Sequence, residues 1–330
     1  MSSEALPSST KLFFREAIAR ALREEMSRDE RVIVLGQDVA DFGGSYREFV
    51  GLYETFGPAR VRNTPVAESA MIGIGVGAAA AGLRPLVSIT YMDFLMLGLD
   101  PLVNYGAKAR YKTGGQIEVP LVVKTTAGAK GQGVAHSQCI ESWLMAVPGL
   151  KVVAPATAGD AYGLLKSALG ERGPVVYVDH KRLFPTAGEV PAEETPVPIG
   201  KAAIRRRGND VTIATFSFMT RIAEQSAERL AAEGIACEIV DLRSLAPLDM
   251  VTVCESAGRT GALLTLEEGQ LTCGVGAEVI FRARESLANL RTARVGALPA
   301  PVSSNPVLEA ACIPDAERVT DAVRRLLVER

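Results

Sequence analysis

The chain has 330 residues, with 36 Lys plus Arg against 38 Asp plus Glu, a formal net charge of −2 and 48% apolar residues. This is ordinary globular composition, which excludes a disordered chain and a strongly basic nucleic-acid-binding surface as its main business. At about 100–200 residues per domain, the length predicts two domains.

The opening MSSEALPSSTK has no basic start followed by an apolar core, so no signal peptide is expected. Leu12–Met26 carries apolar residues at helical spacing: Phe13, Ala17, Ile18, Ala21, Leu22 and Met26. Short apolar runs at Val32–Leu35, Leu86–Ile89, Leu121–Val123, Val152–Ala154 and Val175–Val178 read as buried strands. Helix-like segments at Ser69–Gly82, Phe94–Tyr111 and Asp160–Leu169 lie between them. Such alternation predicts an α/β fold with a mostly parallel sheet over residues 1–183. Residues 184–200 hold Pro185, Pro191, Pro196 and Pro198, and read as a Pro-rich interdomain linker. A smaller α/β domain is expected over 201–330. Its strands are Val211–Phe216, Cys237–Val240, Ala262–Leu266 and Thr292–Val295, and its helices Ile222–Glu233, Val275–Glu285 and Asp315–Val328.

Counting limits the chemistry. Five scattered cysteines form no C-x-x-C pair, and two histidines, His136 and His180, cannot build a His-rich metal centre. The longest uncharged stretch, Ser69–Leu83, is short of the ~20 residues that a membrane span needs, so a soluble protein is expected, and the scattered cysteines suit reduced thiols in a cytoplasm. Gly73-Ile-Gly75-Val-Gly77-Ala78 matches a dinucleotide fingerprint, but no strand leads into it. A small-residue helix packed closely on its neighbours accounts for it better. Glu68 stands at the mouth of that helix, either as an ordinary N-terminal charge or as a carboxylate beside a dry pocket. Gly128–Gln138 follows a strand and carries His136, which can exchange protons near neutral pH. A flexible loop with one polar residue explains it equally well. Glu267-Glu268-Gly269 is open between solvated acids and a polar interface contact.

Together these landmarks resemble a known family. They include Gly36-Gln37-Asp38, Asn63-Thr64-Pro65-Val66-Ala67-Glu68, Gly82-Leu83-Arg84-Pro85, Met92-Asp93-Phe94, Ala135-His136-Ser137-Gln138, Pro148-Gly149-Leu150-Lys151-Val152 and Asp241-Leu242-Arg243-Ser244-Leu245. Over nearly the whole length, the chain resembles beta subunits of the thiamine-diphosphate-dependent first component of 2-oxo acid dehydrogenases, and the similar beta subunit of acetoin dehydrogenase. The resemblance implies a pyrimidine-type cofactor-binding domain followed by a transketolase C-terminal-like domain. It implies oxidative decarboxylation of a 2-oxo acid (pyruvate or branched-chain), or cleavage of acetoin, with acyl transfer to lipoate.

Residue by residue, Glu68 matches the glutamate that hydrogen-bonds the aminopyrimidine and favours its imino tautomer. Phe94 matches the aromatic stacked on that ring, and Thr90 a position lining the site. His136 matches a histidine near the reacting centre. Backbone oxygens of Leu121, Ala168 and Glu171 match a potassium-binding loop of some relatives. Two departures are Gln37, where many relatives carry an acid, and a small Thr90. The chain lacks the G-D-G and downstream Asn that hold magnesium and the diphosphate. The resemblance therefore implies an alpha subunit holding Mg2+, an assembly of two alpha and two beta chains, and a dihydrolipoyl acyltransferase core as a further partner. The alternatives are the C-terminal half of a split transketolase-like enzyme acting on sugars, for which two histidines are few, and a non-catalytic regulatory subunit.

Overall fold

The computed structural model describes residues 9–328. They divide into two compact units. The first takes in the chain up to Thr126, Val147–Leu150 and Thr157–Ile199; the second takes in Ala127–Ala146, Lys151–Ala156 and Gly200 onward.

The first unit opens with strand β1 (Ser9–Phe13) and helix α1 (Phe14–Arg28). Helix α1 buries Phe14, Ala17, Ile18, Ala21, Leu22 and Met26, the stripe its spacing predicts. Strand β2 (Val32–Gly36), short helix α2 (Leu52–Phe56), strand β3 (Val61–Asn63), helix α3 (Glu68–Ala80) and strand β4 (Arg84–Ile89) follow. β2 and β4 are almost wholly buried, as strands covered on both faces must be.

The expected single helix over Phe94–Tyr111 is broken. It comprises α4 (Met92–Leu95), a 3-10 turn at Met96–Gly98, a wide π turn at Pro101–Gly106 and α5 (Ala109–Lys112). Gly98 and Pro101 cause the break. A Cβ on Gly98 would collide with Ile72, so the chain there lies too close to α3 for a larger residue. Strand β5 (Val122–Ala127) completes the centre of this sheet. Strands β3, β2, β4 and β5 are parallel neighbours, with β7 (Val175–His180) beyond β5.

Of residues 184–200, read above as a linker, 184–199 group with the first unit and Gly200 with the second. Strand β8 (Ala187–Pro191) pairs antiparallel with β1, a two-stranded edge arrangement that tolerates proline. Val197 packs where helix α7 (Ala158–Gly170) has Gly163; a Cβ there would stand 2.5 Å from Val197. Composition identified the prolines correctly but could not show that their backbone had partners.

The second unit includes helix α6 (Glu141–Met145) and strand β6 (Lys151–Val153). Strand β6 pairs antiparallel with β12 (Ser244–Ala246). Its main sheet has the order β14-β13-β10-β11-β9, with β9 (Ala203–Arg206) the antiparallel edge. The parallel strands are β10 (Val211–Thr215), β11 (Cys237–Asp241), β13 (Ala262–Gln270) and β14 (Arg291–Ala297). Helices α8 (Met219–Ala231), α9 (Met250–Thr260), α10 (Val275–Ser286), α11 (Pro306–Cys312) and α12 (Ala316–Val328) complete it. Its core joins Ile213, Ile239, Leu264 and Leu266 to Ala223, Leu230, Val319 and Val323. Among the described residues, no helix is long and apolar enough to cross a membrane.

Candidate active site

Glu68 is the first residue of α3, and only 9% of it is exposed. Its helix reaches this depth because it is built from small residues. A Cβ on Gly75 would lie 2.6 Å from Val87 of β4 and 3.0 Å from Leu121, so only glycine lets α3 sit so close to the sheet. This is the close-packed helix that the glycine pattern predicts; the dinucleotide match has no leading strand in the structure either. The Glu68 carboxylate has no hydrogen-bond or ion-pair partner among the described residues. Its oxygens are not among the fully buried polar atoms that lack a partner, so water or a ligand can reach them. Its position at a helix N-terminus favours the charged form.

Thr90 follows β4 directly and is half-buried, as is Phe94 in α4. Tyr91 meets Phe94 edge-on, with ring centroids 6.1 Å apart. The turn after Phe94 lies against the start of α3: a Cβ on Gly98 would stand 3.3 Å from the Glu68 carbonyl oxygen. The fold thus brings the start of α3 against the Met96–Gly98 turn, while Thr90 and Phe94 stand just after the carboxyl end of β4, where parallel sheets place ligand sites.

The same unit holds a charge cluster that the sequence did not flag. Lys124 is fully buried, with its Nζ 2.8 Å from both Glu48 and Asp179. Burial works against the Lys124 charge, but Asp179 and Glu48 outweigh it and hold the ammonium protonated. Phe49 and Phe184 flank it at 5.5 and 5.4 Å. Lys124, directly after the apolar run Leu121–Val123, is a sequence signal for this cluster.

The three backbone positions matched to a potassium loop all have partners. Leu121 O accepts from Val175 N at 2.8 Å, and Ala168 O from Glu171 N at 3.2 Å. The Arg84 guanidinium donates to Glu171 O at 3.2 Å and also bonds Leu169 O. A fixed positive charge at the Glu171 oxygen fits a second cation poorly.

His136 belongs to the second unit and is half-buried on the irregular segment after β5. Its backbone N–H closes a turn onto Gly133 O at 3.2 Å. The same unit holds three buried acids: Glu141, Glu267 and Glu268. Burial, reinforced by Glu267 and Glu268, pushes the Glu141 carboxyl up to about 8. Glu267 is pushed up too, chiefly by burial, although it accepts from Val275 N and Gly276 N at 2.9 Å. Of the two readings of Glu267-Glu268-Gly269, solvated acids fail: both glutamates are buried and bond backbone amides of their own unit.

The family description "Transketolase, pyrimidine binding domain" matches residues 10–186, and "Transketolase, C-terminal domain" matches 200–319. The chain is 43% identical over 321 residues to pyruvate dehydrogenase E1 component subunit beta-1, mitochondrial, of Arabidopsis thaliana, covering 94% of this chain and 88% of that one. It is 40% identical to the pyruvate dehydrogenase E1 component subunit beta of Rhizobium meliloti, covering 98% and 72%. It is also 43% identical to the 2-oxoisovalerate dehydrogenase subunit beta of Bacillus subtilis, over 77% and 78%. The chain belongs to the family of E1 beta subunits of 2-oxo acid dehydrogenases. A solved structure titled split gene transketolase, inactive beta4 tetramer, shares the fold at a TM-score of 0.80 and 25% identity, covering 95% of this chain and 98% of that one. The fold is therefore common to both enzyme types, and the higher identity to E1 beta subunits places this chain among them.

Proposed function

We propose that this E1 beta chain acts in oxidative decarboxylation of a 2-oxo acid, with thiamine diphosphate as cofactor and an alpha subunit completing the site. The observation that carries the reading is Glu68: a nearly buried carboxylate without a partner among the described residues, on a helix whose first turn lies against the turn after Phe94. An aminopyrimidine offers the ring nitrogen and flat face that this pair would accept. Thiamine diphosphate, when bound, supplies the electron sink for decarboxylation. Glu68 would hold a proton against the ring nitrogen, in a dry setting where that bond is strong. Phe94 would present an apolar face to the ring, and Thr90 would line the pocket. His136 would move a proton to or from the substrate's oxygen.

The diphosphate and Mg2+ fall to the alpha subunit, in an assembly of two alpha and two beta chains docked on a dihydrolipoyl acyltransferase core. We place the chain in the cytoplasm on its scattered, unpaired cysteines; the plant relative is titled mitochondrial, and the bacterial relatives' titles name no compartment. Potassium at the carbonyls of Leu121, Ala168 and Glu171 enters no step, given Arg84. Pyruvate and branched 2-oxo acids stand first as substrates because the relatives are named for them. The test is turnover by the chain co-purified with its alpha partner, with thiamine diphosphate, Mg2+ and an artificial electron acceptor. Pyruvate, branched 2-oxo acids, 2-oxoglutarate and acetoin would each be offered. Turnover of a 2-oxo acid supports the reading; turnover of acetoin alone, or of sugar phosphates, overturns it.

A further inference from the structure

The segment Gly128–Gln138 lies in no helix and no strand ladder. Gly128, Gly131 and Gly133 take φ of 89°, 73° and 79°, a region in which glycine moves freely and so loses most entropy when fixed. Something other than secondary structure must hold it. Two carboxylates do so within the same unit. Ala129 N–H donates to Glu268 Oε1 at 2.7 Å, and Gly131 N–H donates to Glu309 Oε2 at 2.6 Å. Both acids are buried, Glu268 to 8% exposure and Glu309 to 6%.

Glu309 is delivered from a firm base. It sits in α11, whose first turn is capped by Asn305 accepting from Val307 N and Leu308 N. The neighbouring Ser304 closes on the loop: a Cβ on Gly133 would stand 3.2 Å from it. Carboxylate-to-amide bonds are roughly twice as strong as neutral ones, and these two fix Ala129 and Gly131, from which the chain runs five residues on to His136.

We propose that Glu309, together with Glu268, is a positioning residue for His136. Its carboxylate pins the Gly131 amide and thereby sets where the imidazole stands. This rests on the reading of His136 as the proton-moving group. Glu309 acts here through the Gly131 backbone and His136. Small displacements of a reacting group, on the order of 1 Å, can cost about 100-fold in rate, so the anchor matters to turnover as well as to stability.

The test uses the full chain assembled with its alpha subunit, as Glu309→Ala, Glu309→Gln, His136→Ala and the double Glu309→Ala/His136→Ala. Amide exchange is read by mass spectrometry on peptides covering 129–136, with the β10 peptide 211–215 as an internal control for folding. In Glu309→Ala, exchange over 129–136 should quicken about tenfold or more while 211–215 is unchanged, and kcat should fall about tenfold. Glu309→Gln keeps an acceptor oxygen and should recover part of both. In the His136→Ala background, Glu309→Ala should add little further loss. Unchanged exchange at 129–136, or the same fold-loss with and without His136, would overturn the proposal and leave the reading of His136 standing. Normal turnover in His136→Ala alone would overturn that reading, and the positioning claim with it.

Discussion

Lys124 and Asp179 meet at 2.8 Å with neither side chain exposed to water at all. They join β5 to β7, and Glu48 brings the 38–51 segment onto the same ammonium at 2.8 Å. Breaking a buried pair strands a charge, which costs about 3–5 kcal/mol. Asp179→Ala should therefore lower the denaturant midpoint sharply. Replacing the set together, as Lys124→Met, Asp179→Leu and Glu48→Gln, should recover most of that loss. A triple variant no more stable than Asp179→Ala would show that the charges contribute more than their mutual satisfaction.

Glycine spacing in α3 yields a paired prediction. Gly75→Ala places a methyl 2.6 Å from Val87, and overpacking of this kind costs about 1–3 kcal/mol. Because the strain falls on the helix that begins at Glu68, the assembled enzyme should also bind cofactor more weakly. Gly77 is exposed, with nothing within 4 Å of a new Cβ. Gly77→Ala should stabilise the isolated chain by about 0.5–1 kcal/mol, since alanine loses less entropy in a helix. Thermal denaturation of the two variants should move in opposite directions.

The second unit should lose stability as pH rises. Glu141 has its carboxyl raised to about 8 against an ordinary 4.5, so the folded state holds a proton that the unfolded state gives up between those values. Stability from that proton is full below about pH 4.5 and is lost as pH rises through 8. Glu141→Gln cannot titrate. Its melting temperature relative to the parent should climb from pH 6 to pH 9, by several degrees at the upper end. A gap that stays constant with pH would show that Glu141 is ionised throughout.

The sequence made much of this legible. The strands β2, β4, β5, β7, β10, β11 and β13 each contain the short, largely apolar run read from the sequence, although Lys124 and Glu238 interrupt β5 and β11, because burial on both faces writes itself into composition. Glu68 and His136 could be singled out, but spacing alone left both balanced against ordinary roles. Contacts between residues distant in sequence were not legible. β8 is held by β1, some 180 positions away, and Glu309 reaches Gly131 from 178 positions away. Nor did composition foresee the broken helix after Phe94, which depends on how closely Ile72 approaches Gly98. Local pattern records burial and propensity; it does not record which distant backbone group a side chain will satisfy.

The most direct measurement is kcat of the alpha-assembled enzyme carrying Glu68→Gln, compared with the parent on its best 2-oxo acid. Glutamine keeps the shape of the side chain but cannot hold or release the proton at the cofactor's ring. Proton transfer by a positioned side chain is worth about 10²–10⁴-fold, so the account predicts a loss of about 100-fold or more in a complex that remains assembled. Turnover within a few-fold of the parent would contradict it.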